Sequence, residues 1–249
     1  MKVRMRFGWN ALLAVVVLAG CGGGGDGGPS GPAGEAQGSW TGTTGSNRAI
    51  TGLVLADGSY AMFYSSPGYP TVLGGAVIGN GTSTTGALAS AGALHLNLEG
   101  LGVLAASVTG SVAPRDTFAG TILSTGIPPV TFTSTYNAEF DRAARAAALA
   151  GRYTGLLGTG QGRQAAAWTV DASGQMSVST AGCTATGQLL PRADVNVFDA
   201  ALVFGPAPCP FAGQALRGIA LQREADGRFF LAAPNAGRSD AALLSGVRS

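Results

Sequence analysis

Apolar and polar residues alternate over many short stretches of the chain, which is the pattern of β-strands with one buried face. In residues 130–136, a mostly apolar row that includes Phe132 and Tyr136 shares one face, and three threonines share the other. Turn residues separate such stretches about every eight to twelve positions. This spacing predicts an all-β protein, built either as small antiparallel β-barrels or as β-sandwiches.

Glycine marks the turns between several of these stretches. Asp57-Gly58 separates two apolar stretches within residues 50–64, and Asp226-Gly227 separates two within residues 219–232. Glycine accepts positive φ at little steric cost, and tight hairpin turns require that backbone conformation. Both pairs therefore predict β-hairpins, and Ser173-Gly174 predicts a third.

Residues 137–150 have helical rather than strand character. The run NAEFDRAARAAALA begins with Asn137, a residue that caps helix N-termini, and places its acids early and its arginines later. Gly151 follows as a stop. The run predicts a short helix that joins two halves of the folded part.

The two halves share sequence features that indicate a duplication. Gly-Ser-Trp-Thr-Gly at residues 38–42 recurs as Gly-Arg-Tyr-Thr-Gly at residues 151–155. A second match relates residues 81–88 to residues 182–189. Each predicted copy is about 100 residues long, which is an ordinary domain size.

The Gly-x-Trp or Gly-x-Tyr opening of each copy resembles the first strand of lipocalin-like calycin barrels. In that family the aromatic ring plugs one end of the barrel. The resemblance implies two tandem calycin-like barrels with Trp40 and Tyr153 as plugs. A β-sandwich remains the alternative for each copy.

The first twenty residues resemble the signal peptides of bacterial lipoproteins. A basic start precedes an apolar run over residues 11–17, and Leu18-Ala19-Gly20 stands directly before Cys21. The resemblance implies that Cys21 is lipidated through sulfur, that the preceding peptide is removed and that the new N-terminus is acylated. Glycine rather than aspartate at residue 22 implies sorting to the outer membrane.

The residues after the cysteine cannot form a core. Residues 22–37 contain no apolar side chain larger than alanine and are rich in glycine. The predicted organisation is a signal peptide over residues 1–20, a flexible tether over 21–37, a first β-domain over 38–136, a linker helix over 137–150 and a second β-domain over 151–249.

The predicted mature chain also resembles glycine-rich, two-domain lipoproteins of beta-proteobacteria. The segments RAITGLVLADGSY and FTSTY carry that resemblance. It implies a location in the cell envelope and a fold class, and it implies no activity.

Charge argues against nucleic acid as a partner. The predicted signal peptide holds three of the fifteen basic residues, so the mature chain has twelve arginines and thirteen acids, a net charge of −1. Binding to a phosphate backbone requires a basic surface, which this balance does not supply. Apolar residues make up 46% of the chain, enough to build a packed core.

Cys183 and Cys209 are the cysteines that remain beyond Cys21. They do not have the Cys-x-x-Cys spacing of a redox pair, and no nearby histidine completes a metal site. An oxidising envelope permits disulfides, so we predict a structural Cys183–Cys209 bond. Closing a loop of this length stabilises a fold by about 3.5 kcal/mol on the chain-entropy model.

His95 is the only histidine, so any serine–histidine–carboxylate relay would have to use it. Its surroundings predict a strand with the leucines of residues 94–98 on one face and with His95, Asn97 and Glu99 on the other. No Gly-x-Ser-x-Gly elbow supplies a nucleophile. We predict a solvated or barrel-facing polar row in which His95 and Glu99 have no catalytic role and are dispensable for folding.

Paired carboxylates offer a second route to catalysis, as in glycoside hydrolysis. The nearest pairs are Asp194 with Asp199 and Glu224 with Asp226. Their positions at turns and a hairpin tip favour local hydrogen bonding instead. The sequence therefore predicts no catalytic residues, no metal site and no cofactor.

Two functions remain open at this point. The first is a non-enzymatic, membrane-anchored envelope protein that binds a protein or a surface polymer through its tandem β-domains. The alternative is a carrier that holds a small apolar ligand inside calycin-like barrels, as eight-stranded barrels do. The size of any cavity inside a barrel discriminates between them.

Overall fold

A computed structural model describes residues 33–249 of the chain. The predicted signal peptide, the predicted lipidation site Cys21 and most of the predicted tether lie outside the described residues. The described part is nearly all β and forms two tandem eight-stranded antiparallel barrels, as predicted. Barrels rather than sandwiches are therefore the architecture.

The first barrel follows the order of the strands along the chain. Hydrogen bonds between β1 and β9 and between β4 and β6 close the sheet, and the short β5 continues β4 beyond Gly81 and pairs with the start of β6. The strands are β1 (Gly38–Thr44), β2 (Ala49–Val54), β3 (Ser59–Ser66), β4 (Tyr69–Asn80), β5 (Thr82–Thr84), β6 (Ala87–Asn97), β7 (Gly102–Ala113), β8 (Thr117–Ser124) and β9 (Ile127–Tyr136).

The second barrel is an uninterrupted up-and-down meander closed between its first and last strands. Its strands are β10 (Gly151–Thr159), β11 (Gly162–Val170), β12 (Gln175–Thr180), β13 (Thr184–Pro191), β14 (Phe198–Phe204), β15 (Ala215–Arg223), β16 (Arg228–Pro234) and β17 (Ala241–Arg248). The three predicted hairpin turns are confirmed, with Gly58, Gly174 and Gly227 at positive φ.

Each barrel is closed at one end by the aromatic ring of its first strand. Trp40 Nε1 donates to the carbonyl oxygen of Ala36 at 3.0 Å, and the Tyr153 hydroxyl donates to that of Leu149 at 2.8 Å. Both acceptors lie four residues upstream, in a short helical turn that covers the barrel end. The partner opposite each ring on the last strand differs: Tyr136 packs edge-on against Trp40, and Arg248 lies over Tyr153.

The turn that covers the first barrel corrects the predicted end of the tether. Gly34–Ala36 forms a 3-10 turn, and Ala33 and Ala36 are fully buried. Glu35 accepts a hydrogen bond from the backbone N–H of Gly86 at 2.7 Å. The tether therefore ends before Ala33 rather than at residue 37, because these small side chains fit under the plugged end.

The predicted linker helix over residues 137–150 is not continuous. The chain forms a 3-10 turn at Ala138–Asp141 and a single helical turn, α1, at Ala146–Leu149, with extended backbone between them. Asn137 caps the first turn, as predicted, by accepting from the Glu139 N–H. Phe140 is buried in the apolar cluster between the barrels, and this insertion outweighs helix propensity.

The structure supports one of the two repeat matches. Residues 38–42 and 151–155 form equivalent first strands. Residues 81–88 span β5 and the turn into β6, whereas residues 182–189 lead into and form most of β13, the fourth strand of its barrel. The second match is therefore not structurally equivalent.

The two barrels pack side by side through a continuous apolar cluster, here called the barrel interface. Phe63 of the first barrel contacts Phe230 of the second, with ring centroids 5.0 Å apart. Arg223 donates from Nη1 to the Thr51 hydroxyl at 2.7 Å across the same boundary. The cluster also contains Leu53, Leu73, Ala76, Ile78, Leu94, Leu96, Leu98, Val195, Val197, Leu221, Ala232, Ala241 and Leu243.

The interiors of the two barrels differ. Large side chains fill the second barrel, among them Trp168, Phe198 and Phe229, each no more than 2% exposed. The end opposite Tyr153 is covered by residues 205–214, which the predicted Cys183–Cys209 disulfide ties to the start of β13. Phe211 from this segment packs against Phe204 at the covered end of the barrel.

Reducing the disulfide is expected to destabilise the whole described fold rather than the second barrel alone. The barrel interface couples the two cores, so we expect one thermal transition, lowered by roughly 7 to 14 °C for a loss of about 3.5 kcal/mol. Differential scanning calorimetry with and without reductant measures this shift. The Cys183→Ala/Cys209→Ala variant is the control, since reductant leaves it unchanged; two separate transitions, only one of which moves, would contradict the coupling.

Candidate functional site

The end of the first barrel opposite Trp40 is open and contains a cavity of about 110 Å³. The turns that join β1 to β2, β3 to β4, β6 to β7 and β8 to β9 surround this opening, which we call the mouth. The residues that line the cavity are Thr44, Ser46, Arg48, Ile50, Met62, Tyr64, Val77, His95, Asn97, Ile122, Ser124, Ile127 and Val130.

The alternation of side chains along each strand explains the composition of the cavity. Apolar residues that point inward from neighbouring strands, including Ile50, Met62, Val77 and Ile122, form the wall and continue into the core beneath. Polar side chains occur in two parts of the lining: one group lies on β6 and its surroundings, and a second, which includes Thr44 and Ser46, lies at the end of β1 and in the turn after it. The Thr44 and Ser46 hydroxyls are 3.0 Å apart and bind each other. The cavity therefore has an apolar wall and two groups of polar side chains.

The group on and around β6 is a connected chain of hydrogen bonds, here called the polar cluster. The Tyr64 hydroxyl lies 2.7 Å from His95 Nε2, and His95 Nδ1 lies 2.8 Å from Ser124 Oγ. Asn97 Nδ2 donates to the Tyr64 hydroxyl at 3.3 Å. Both ring nitrogens of the histidine therefore have partners.

An ion pair borders the polar cluster. Arg48, at the end of the turn between β1 and β2, binds Glu99 with 2.8 Å between Nη1 and Oε2. The Arg48 guanidinium also lies over the Tyr64 ring, 5.4 Å from its centroid. The charge of Arg48 is thus compensated by Glu99, and the mouth carries no net charge from this pair.

Burial keeps the titratable members of the polar cluster neutral. Desolvation, with a further contribution from Arg48, lowers the pKa of His95 to about 4. Desolvation and the neighbouring Glu99 carboxylate raise the pKa of Tyr64 well above its usual value. At neutral pH the histidine therefore carries one proton on its ring and the tyrosine keeps its own.

The backbone fixes the direction of the hydrogen bonds in the cluster. The N–H groups of Glu99 and Leu101 donate to Asn97 Oδ1 at 2.9 and 3.3 Å, so Nδ2 is the amide end that faces Tyr64. Because Tyr64 accepts from Asn97, its own proton goes to His95 Nε2, its remaining partner among the described residues. The single ring proton of His95 then lies on Nδ1 and is donated to Ser124, an assignment made from hydrogen-bond partners.

The structure places the polar row predicted around His95 partly as expected. His95 and Asn97 face the barrel interior, which is one of the two predicted positions, and the leucines of residues 94–98 lie in the barrel interface. Glu99 follows the end of β6 and lies at the mouth. His95 is only 5% exposed and has two hydrogen-bond partners, so the expectation that it is dispensable for folding is revised.

Three of the four carboxylates considered as possible catalytic pairs bind arginines. Asp199 binds Arg192, Glu224 binds Arg142, and Asp226 binds Arg223. Asp194 lines a surface pocket together with Asp141. Among residues 33–249 no group of three histidine, cysteine, aspartate or glutamate side chains is arranged to hold a metal ion.

Three residues of the mouth escaped the sequence analysis. Arg48, in the turn between β1 and β2, and Ser124, at the end of β8, are far apart in the chain, and Tyr64 lies on β3, which the sequence indicated only as part of a hairpin. Their meeting point depends on barrel closure between β4 and β6 and between β1 and β9. The inward alternation at Tyr60, Met62 and Tyr64 was the one local sign available.

Comparisons of the chain with protein-family models, with curated proteins and with solved structures gave no match. Within residues 33–249, no helix has the length and apolar character needed to cross a membrane. The function is therefore inferred from the residues of this chain.

Acidification is expected to destabilise the fold through His95. The unfolded chain binds this proton below a pKa of about 6.5 and the folded chain only below about 4, so stability is complete above pH 6.5 and falls as the pH approaches 4. The loss attributable to His95 is about 3 kcal/mol at pH 4. Urea unfolding at pH 7, 5.5 and 4 measures it.

The His95→Gln variant is the control for this titration, because glutamine keeps hydrogen-bonding capacity and does not titrate in this range. Carboxylates contribute equally to both proteins, so the difference between the two pH profiles isolates the histidine. Parallel profiles for the variant and the natural protein would contradict the assignment.

Proposed function

We propose that this chain is a non-enzymatic, membrane-anchored binding protein that takes a small, largely apolar ligand into the mouth of its first barrel. The observation that carries the proposal is the open cavity with an apolar wall and a neutral polar cluster on one side. Sites for small ligands combine an apolar lining with a few placed polar groups in this way. The second barrel, filled and covered, supports the first.

Cavity size limits the ligand. At about 110 Å³ the cavity is of the order of an engineered apolar cavity that binds benzene. It therefore suits a single ring or a short branched chain rather than a long acyl chain. Because the mouth is open, the remainder of a larger ligand extends into solvent.

The orientation of the polar cluster supports binding rather than catalysis. A serine nucleophile needs a base that accepts its proton. Here His95 Nδ1 donates to Ser124, and the lowered pKa of His95 makes the ring a weak base near neutral pH. Ser124 is thus a hydrogen-bonding group and not an activated nucleophile.

A second candidate, binding of a protein or surface polymer, is favoured by the exposed apolar rim of the mouth. Tyr69, Leu101 and Leu123 are 67%, 53% and 47% exposed and lie near the opening, at the start of β4, in the turn between β6 and β7, and near the end of β8. Apolar side chains rimming a cavity are typical of sites that contact partners. In this version the cavity receives an end group of the polymer or a side chain of the protein.

Ligand-observed NMR with small aromatic compounds tests the cavity. Val130 is partly exposed at the mouth, so Val130→Trp is expected to fill the cavity without disturbing the core and to abolish saturation transfer to the compounds. The rim variant Leu101→Ser is the matched control and should bind as the natural protein does. Loss of binding in Leu101→Ser with retention in Val130→Trp would favour the second candidate instead.

The proposed lipid anchor assigns this site to the cell envelope. In the proposal Cys21 is acylated, and about twelve residues reaching at most about 40 Å connect it to Ala33 at the plugged end of the first barrel. The proposed location is the outer membrane, with the ligand reached from the aqueous side.

Replacement of the proposed lipidation site tests the anchor. We expect Cys21→Ser to remain unprocessed or to leave the membrane fraction, because serine offers no sulfur for the acyl linkage. Cys183→Ser is the control, since it removes a cysteine without touching the signal. Mass spectrometry of the N-terminal peptide measures the acyl group; an equally acylated Cys21→Ser protein would show that the anchor lies elsewhere.

A further inference from the structure

We propose that the Ser124 hydroxyl is the specificity-determining donor of the mouth, so that the ligand is a compact apolar molecule bearing a neutral carbonyl or ether oxygen. The inference rests on the proposed function and deepens it by naming the chemical class. It follows from the direction of the hydrogen bonds in the polar cluster rather than from the size of the cavity.

The cluster forms a one-way series of donors that begins in the backbone. The N–H of Glu99 donates to Asn97, and Asn97 donates to Tyr64. Tyr64 then donates to His95, and His95 donates to Ser124. Each side chain in the series accepts a hydrogen bond from the group before it, and Asn97, Tyr64 and His95 each donate one to the group after it.

Ser124 ends the series with its own proton unassigned. Its Oγ accepts from His95 and has no other hydrogen-bond partner among residues 33–249. The side chain lines the cavity at the end of β8, where it is half-buried. Its O–H is therefore available to donate a hydrogen bond to a ligand or to water in the mouth.

Hydrogen bonds arranged in series polarise one another, which strengthens the terminal donor. A ligand that brings an apolar surface and no acceptor displaces water from Ser124 and leaves that donor unsatisfied. A ligand with an acceptor oxygen keeps the bond. The site is thus expected to discriminate against pure hydrocarbons of the same shape.

The charges around the mouth favour a neutral oxygen over a carboxylate. Arg48 is the cation that lines the cavity, and it is already bound to Glu99 at 2.8 Å. Bringing a second carboxylate beside Glu99 places like charges together in a partly desolvated site. A carbonyl or ether oxygen accepts from Ser124 without that repulsion.

Two compounds of nearly equal shape test this inference. Acetophenone carries a carbonyl where α-methylstyrene carries a methylene group. We expect the natural protein to bind acetophenone about tenfold more tightly, which corresponds to about 1.4 kcal/mol, a typical value for one hydrogen bond. NMR titration gives both dissociation constants.

Variants of the series separate recognition from stability. Ser124→Ala should lose the preference and retain its affinity for α-methylstyrene. Tyr64→Phe should reduce the preference without altering Ser124. Without the tyrosine hydroxyl, the ring proton of His95 is free to move to Nε2, and Nδ1 then accepts the Ser124 proton that the ligand would otherwise accept. Thermal melts of both variants confirm that they are folded.

The histidine tautomer supplies an independent readout, because His95 is the only histidine in the sequence. In untagged protein the imidazole ¹⁵N spectrum should show Nδ1 protonated and Nε2 unprotonated. The opposite tautomer would overturn the inference. Equal affinity of the natural protein for the two compounds would also overturn it, provided that Val130→Trp abolishes the binding of both and so shows that they bind in the cavity. If neither compound binds at all, the proposed function itself fails, and this inference fails with it.

Discussion

The barrel interface is the constraint on which the rest of the structure depends. Side chains alternate strictly along a strand, so a one-residue slip would exchange the two faces. Along β6 and the residue after it, the leucines of residues 94–98 lie in the interface, which forces His95 and Asn97 into the first barrel. Apolar packing between the barrels thereby holds the polar cluster in register, although within residues 33–249 no side chain of that cluster makes a hydrogen bond to the second barrel.

The two barrels share a closing device at one end and differ at the other. Trp40 and Tyr153 each bond to a carbonyl four residues upstream. At the opposite end a disulfide-tied segment carrying Phe211 covers the second barrel, and the first keeps an open mouth. One copy therefore contributes a filled core, and the other presents a cavity on the same scaffold.

Local patterns allowed much of the fold to be predicted, and long-range packing explains the differences. Asp57-Gly58 and Asp226-Gly227 form the expected turns, and Cys183 pairs with Cys209. The linker forms two short turns instead of the predicted helix because Phe140 packs between the barrels, a contact that helix propensity does not encode. The mouth was missed because Arg48 and Ser124 come together only when the barrel closes, whereas sequence reasoning identified His95 from its strand alone.

Burial on both faces of certain strands has a consequence for how this sequence can change over time. Along β3 every residue from Tyr60 to Ser66 is buried, whereas β12 exposes alternate residues. On β12 half of the positions are free to drift with little effect on packing. On β3 any substitution meets either the lumen or the neighbouring barrel, so substitutions there must be compensated on two sides and accumulate slowly.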